Sequence, residues 1–281
     1  MIEDVKSVGP GKKYIIGDAV DALERIEEFV EDGQRPTLIH LDDAWARPHR
    51  ANQFGVTYPT HDFEPDHDDP GSGITTIDII DACKEALVDG GWLIADADDW
   101  LLPQLITYIQ KHWGNVAEDY RGGGYRRIGG VTYVDKSSHE KYNSGNFEPN
   151  ELSPDRSTAG SYLSNGGYPV VFAHKGESDR RSSIAARQIT SNHQDNYGWG
   201  SVKPIDPYEA WVDALLDPKE LLVVPCAGTA PAALAAERVA NRLGKEANYI
   251  CIDIEEGAYE AFKKRREAEV PGLDSSPELN S

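Results

Sequence analysis

Residues 221–256, LLVVPCAGTAPAALAAERVANRLGKEANYICIDIEE, constrain the fold of this chain more than any other stretch. The run 221–224 is short, apolar and β-branched, which suits a strand buried on both faces, and Pro225 ends it. Ala227, Gly228 and Thr229 make a turn of small residues. An alanine-rich helix over 230–243 follows, then a second apolar strand over 249–252 that stops at Asp253. In a right-handed crossover unit, this order brings a helix N-terminus to the carboxyl edge of a parallel sheet. The acid closing the next strand then accepts hydrogen bonds from two ribose hydroxyls. The same residues also suit an ordinary crossover unit in which Asp253 caps the next helix.

Gly228 is the only glycine of the turn, so the Gly-x-Gly-x-x-Gly pattern of pyrophosphate-binding folds is missing, which weighs against a dinucleotide-dependent oxidoreductase. A smaller zwitterionic ligand such as S-adenosylmethionine needs fewer glycines.

The rest of the chain reads as α/β. Strands are expected at 13–16, 37–41 and 92–95, and helices at 20–31, 74–88, 101–113, 207–216 and 259–269. Gly17, Asp18 and Ala19 close the first strand. The second ends in Asp42, Asp43, Ala44 and Trp45, two acids and a large aromatic at one strand end. The loop 49–73 holds several His, Asp and Glu residues, but no spacing is diagnostic of a metal and none is expected; Gly71 and Gly73 make the loop a candidate lid. Between 115 and 200 the pattern turns irregular, and only 168–174 looks like a core strand.

Formal net charge is −20, from 28 Lys and Arg against 48 Asp and Glu, as in proteins adapted to a halophilic, salt-rich cytoplasm. Residues 111–203 hold 12 basic and 10 acidic side chains, so this third alone escapes the repulsive field. Near molar salt the Debye length is about 3 Å, and local contacts then decide nucleic-acid binding. Arg121, Tyr125, Arg126, Arg127, Lys136, Lys141, Arg180 and Arg181 are the candidates for such contacts. Cys83, Cys226 and Cys251 have no disulfide-like spacing, and no run approaches a membrane span, so a cytoplasmic protein is expected.

Taken as an ordered set, these features resemble the amino-directed DNA methyltransferases, which make N6-methyladenine or N4-methylcytosine. The set comprises Gly17-Asp18-Ala19, a strand ending Asp-x-x-aromatic, Gly90-Gly91-Trp92-Leu93-Ile94, Ser201-Val202-Lys203-Pro204 and Pro225-Cys226-Ala227-Gly228-Thr229. Their order resembles the circularly permuted beta group of that family. The resemblance implies a Rossmann-like methyltransferase fold: a mixed seven-stranded sheet with helices on both faces and an irregular target-recognition insertion. It divides the chain into a catalytic part (1–114), a target-recognition region (115–200), a cofactor-binding part (201–269) and a disordered tail (270–281).

By the same resemblance, Pro225, Cys226, Ala227, Gly228 and Thr229 match the Asp-Pro-Phe-x-Gly-Ser-Gly turn that holds the methionine moiety of S-adenosylmethionine. Asp253, with Ile254, matches the ribose-binding acid; Asp18, with Ala19, lies near the adenine amino group; Lys203 and Pro204 match a Lys-Pro pair ahead of the cofactor helix. Asp42, Asp43 and Trp45 fall on the catalytic Asp-Pro-Pro-Tyr. The chain departs from the pattern at Val224, Ala230 and both catalytic prolines. The implied partner is double-stranded DNA, with a homodimer and a cognate restriction endonuclease as further partners. Two rivals are a cofactor-binding but inactive DNA-binding protein and a methyltransferase for RNA or another substrate.

Overall fold

The computed structural model describes residues 1–30, 33–42, 63, 74–98, 101–145, 166–180, 182–191, 195–200 and 202–270. Asp43, Ala44, Trp45, Arg181, Ser201, the tail 271–281 and nearly all of the 49–73 loop lie outside them.

Four apolar runs make the centre of a sheet: β3 (Pro36–Leu41), β4 (Trp92–Asp96), β8 (Leu221–Pro225) and β9 (Asn248–Asp253). Successive side chains of a strand point to opposite faces, and here the two sets enter two separate cores. Leu38, Ile94, Leu222, Val224, Tyr249 and Cys251 meet α5 (Asp206–Leu215), α6 (Pro231–Arg242) and α7 (Glu256–Glu269). Ile39, Leu41, Leu93, Ala95, Val223 and Ile250 meet α1 (Ala19–Glu24), α2 (Thr76–Ala86) and α3 (Leu101–His112). The result is a three-layer α/β/α sandwich, the Rossmann-like class expected from the sequence.

Strand β2 (Lys12–Gly17) joins β9 in parallel, and β8 lies parallel to both β9 and β3. Strand β1 (Ile2–Gly9) adds an antiparallel hairpin at the β2 edge. At the other side, β6 (Gly167–Lys175) runs antiparallel to both β4 and β5 (Gly123–Val134), and β7 (Arg187–Ser191) closes the sheet in parallel with β5. Among the described residues the sheet thus has nine strands in the order β1-β2-β9-β8-β3-β4-β6-β5-β7, two more than expected. A short helix, α4 (Lys136–Asn143), follows β5.

The described residues of 115–200 therefore supply three strands rather than one. The glycines that hide β5 from a periodicity argument are what its neighbours require. A Cβ on Gly124 would stand 2.0 Å from the Gly114 carbonyl oxygen, and one on Gly129 would stand 2.1 Å from that of Ala186. At the C-terminal end, Val270 packs in the core instead of belonging to a tail.

Helix ends follow local chemistry. Asp18 caps α1 by accepting the Asp21 N–H at 2.9 Å, and Thr75 with Asp78 forms a reciprocal capping box at α2. Because β2, β9, β8, β3 and β4 run the same way, their carboxyl ends, at Gly17, Asp253, Pro225, Leu41 and Asp96, share one edge.

Replacing fully buried Leu222 by Ala removes contacts on the α5/α6 side. It is expected to lower the unfolding free energy by about 2–5 kcal/mol, against less than about 0.5 kcal/mol for Leu243→Ala on the surface. Guanidinium denaturation reads both; equal midpoints would contradict the core assignment.

Candidate functional site

Strand β8 leaves the sheet through a strained turn. Cys226 (φ 53°) and Ala230 (φ 48°) are two of the three non-glycine residues with positive φ among the described residues, and Gly228 has φ 50°. Each non-glycine residue of this kind costs about 1–3 kcal/mol, which the surroundings must enforce. The resembled family has a glycine where Ala230 stands, and the backbone geometry explains why.

Several groups hold the turn. The Gly228 N–H donates to Asp253 Oδ2 at 2.8 Å, Tyr14 Oη donates to the Gly228 carbonyl at 2.9 Å, and Ala227 N–H donates to the Ile252 carbonyl at 2.9 Å. Trp199 lies against Gly228, with its Nε1 3.2 Å from where a Cβ would stand. Arg265, fully buried on α7, donates to Thr229 Oγ1 at 3.0 Å, to the Lys203 carbonyl at 2.7 Å and to Glu269 Oε1 at 3.0 Å. One guanidinium thus joins the turn, the segment before α5 and its own helix.

Asp253 also accepts the Glu255 N–H at 3.0 Å. Burial pushes its carboxyl up to about 6, against the pull of those two N–H bonds, and the charges of Glu255 and Asp42 add to the rise. Ile254 beside it is an exposed apolar side chain, and Asp18 and Ala19 stand at the end of the neighbouring β2.

Two strands away, Asp42 follows β3. Its Oδ1 accepts from the Lys203 ammonium, and its Oδ2 takes no hydrogen bond from the described residues. Lys203 Nζ also donates to Asp96 Oδ2 at 2.7 Å and stands 5.0 Å from the centre of the Tyr168 ring. Asp96 Oδ2 accepts Tyr208 Oη at 2.5 Å and lies 3.1 Å from His40 Nε2, while Tyr168 and Tyr208 hydroxyls are 2.8 Å apart. His40, Asp96 and Tyr208 are buried.

One cation serves two carboxylates, and the two respond differently. Burial raises Asp42 above the ordinary carboxylate value more than Lys203 lowers it. Burial also opposes ionisation of Asp96, but Lys203 and His40 outweigh it and hold Asp96 well below that value. Lys203 is penalised by burial, yet the two acids raise it and keep it charged.

The structure therefore brings Asp42, Asp18, Asp253, Lys203, Pro204 and the 225–229 turn to one sheet edge. Asp43 and Trp45 lie outside the described residues. His40, Asp96, Tyr168, Tyr208, Tyr14, Trp199 and Arg265 were not foreseen; Asp96 had a signal, because it ends β4 as Asp42 ends the run of β3.

The basic candidates divide. Lys136 and Lys141 are exposed on α4, beyond the carboxyl end of β5. Arg121, Tyr125, Arg126 and Arg127 sit at the start of β5, which lies level with the start of β4, since Gly124 and Trp92 both pair with His174. Arg126 stacks over Tyr120 at 5.0 Å, and Arg180 pairs with Asp217 and Glu220. Arg126, Arg127 and Arg180 line a cavity of about 290 Å³ floored by Trp92, Phe172 and Trp211.

No family model and no curated protein matches the sequence. The fold is nevertheless shared with solved structures. M1.HpyAVI in complex with SAM aligns with a TM-score of 0.58 at 11% identity, over 91% of this chain and 98% of that one. The PvuII DNA methyltransferase, cytosine-N4-specific, aligns at 0.52 and 12% identity, over 92% and 91%. TTHA0409 from Thermus thermophilus, assigned as a DNA modification methylase, aligns at 0.52 and 14% identity, over 92% and 96%. These similarities establish a common Rossmann-like architecture along nearly the whole chain.

Substituting Arg265 by Met leaves the Thr229 hydroxyl and the Lys203 carbonyl without this donor. Unfolding free energy is expected to drop by on the order of 3 kcal/mol in chemical denaturation, and a loss under about 1 kcal/mol would contradict the linking role.

Proposed function

We propose that the chain is an S-adenosylmethionine-dependent DNA methyltransferase acting on an exocyclic amino group, adenine N6 or cytosine N4. The observation that carries this reading is the convergence of Asp42, the 225–229 turn and Asp253 on the carboxyl edge of three adjacent parallel strands. M1.HpyAVI, of the same fold, was crystallised with SAM, and the PvuII enzyme methylates cytosine N4. The chain order, with Asp42 before the 115–200 region and the cofactor turn after it, favours the permuted beta group.

In this reading the 225–229 turn takes the methionine end of the cofactor. Asp253 accepts the ribose hydroxyls, Ile254 offers apolar surface to the adenine, and Asp18 lies at its amino group. An exocyclic amine is a poor nucleophile because its lone pair is delocalised into the ring. Asp42 Oδ2 and the Asp43 carbonyl accept its two N–H bonds and favour a tetrahedral nitrogen facing the sulfonium methyl. Trp45 stacks on the flipped base, worth about 1–3 kcal/mol against an unstacking cost of a few. Lys136 and Lys141, on the same edge, are placed to meet DNA phosphates; no metal is required.

Asp42→Ala is expected to cut single-turnover transfer of labelled methyl to DNA by roughly 10²–10³-fold while leaving the cofactor Kd within about twofold. Transfer at the parental rate would remove Asp42 from the mechanism. Nucleoside analysis of DNA from expressing cells then assigns the base.

Cofactor affinity should also depend on pH. Asp253 must be ionised to accept two hydroxyls, and with a carboxyl at about 6 it is about nine-tenths protonated at pH 5. Lowering pH from 7 to 5 should therefore weaken binding about tenfold in calorimetry, and Asp253→Asn should abolish the dependence. The sign for stability is opposite. A raised folded value favours the native state below the unfolded value near 3.8, and this contribution is lost as pH rises through about 6.

A further inference from the structure

We propose that Lys203 is a positioning residue: its ammonium fixes the Asp42 carboxylate so that Oδ2 faces the reacting amine, and it does not hold the cofactor. The inference rests on the methyltransferase reading above and assigns Lys203 a role different from the one its Lys-Pro resemblance implies.

An ammonium has three donors in a tetrahedral arrangement. Two are spent on Asp42 Oδ1 and Asp96 Oδ2, and the Tyr168 ring lies under the group at 5.0 Å. At most one is left for a ligand carboxylate, on the side of that ring. The side chain is only 8% exposed, so the charge faces inward.

Every partner except Asp42 is anchored. Asp96 is held from α5 by Tyr208 and from β3 by His40, and Tyr208 is braced by the Tyr168 hydroxyl of β6. The Lys203 backbone is tied to α7 through Arg265. Asp42, just past the end of β3, is the one member placed beyond a strand end, and its orientation is transmitted from four elements through a single nitrogen. With Oδ1 bound to Lys203, Oδ2 is the oxygen that takes no hydrogen bond from the described residues.

The test compares wild type, Lys203→Met and Lys203→Arg in single-turnover methyl transfer at saturating cofactor, with cofactor Kd by calorimetry. If Lys203 positions Asp42, Lys203→Met loses about 10²-fold in the transfer rate, a loss of the size a 1 Å misplacement produces, with Kd within twofold. Removing the cation also takes away the larger of the two influences that lower the Asp42 carboxyl, leaving His40 to lower it and Asp96 to raise it, so the acid limb of the rate profile moves to higher pH. Lys203→Arg keeps the charge with a different shape. It is expected to fold, to retain the acid limb and to lose at least tenfold in rate, so the inference stays testable if the Met variant does not fold.

Full rate at saturating cofactor in either variant, or a Kd raised tenfold with the rate intact, overturns the positioning role and leaves the methyltransferase reading standing. A wild-type protein that binds the cofactor but transfers no methyl to DNA overturns both. In a double-mutant cycle, adding Lys203→Met to Asp42→Asn should cost no further rate, since the residue it acts through is already disabled.

Discussion

The parallel run β2-β9-β8-β3-β4 forces a concentration of negative charge that the rest of the structure answers. Parallel strands end together, and here four of them deliver Asp18, Asp253, Asp42 and Asp96 to one edge. Two unit charges one strand spacing apart, about 4.8 Å, repel by about 3 kcal/mol at an effective dielectric of 20. The chain neutralises this locally. Backbone N–H groups of Asp21, Gly228 and Glu255 serve Asp18 and Asp253, and one ammonium serves Asp42 and Asp96. Each solution also fixes geometry: the N–H of Gly228 ties the turn of β8 to the end of β9, and Lys203 ties the ends of β3 and β4.

Much of this was legible in the sequence because it follows from periodicity and from strand ends. The apolar runs of β3, β4, β8 and β9, the acid that ends β9 and the small-residue turn before α6 are local patterns. What escaped was of two kinds. Strand β5 is built on glycines selected by close backbone approach, which leave no alternating pattern, and β1 has an edge strand's mixed polarity. The polar network escaped for another reason. His40 and Asp96 sit inside or at the end of hydrophobic runs, and Arg265 belongs to a highly charged helix that reads as solvent-facing, yet all three are buried. Apart from Glu269, one helical turn from Arg265, their partners are 36 to 112 residues distant in sequence, a relation that no window of sequence displays.

The distribution of basic groups separates two tasks that the sequence had merged. Arg126, Arg127 and Arg180 flank an aromatic-floored cavity at the level of mid-β4 and its amino end, and Arg180 is neutralised by Asp217 and Glu220. Lys136 and Lys141 lie past the carboxyl end of β5, the side on which the acids converge. In a protein of charge −20, Lys136 and Lys141 are exposed cations on that acidic side, and high salt screens the remaining charge.

Rigidity at Asp42 can be supplied in more than one way. In the resembled tetrapeptide two prolines follow the acid; here the sequence has Asp43 and Ala44 in their place. A side-chain tether also gives a carboxylate its direction, and the Lys203 contact is such a tether. The same exchange occurs at the other side of the site. Ala230 adopts a left-handed conformation that a glycine takes without strain, and the turn is held in it by Tyr14, Asp253 and Arg265 rather than by intrinsic preference. At both positions, where the sequence differs from the resembled pattern, long-range side-chain contacts hold the geometry. A local motif can therefore lose its signature residues while the edge it builds keeps its shape.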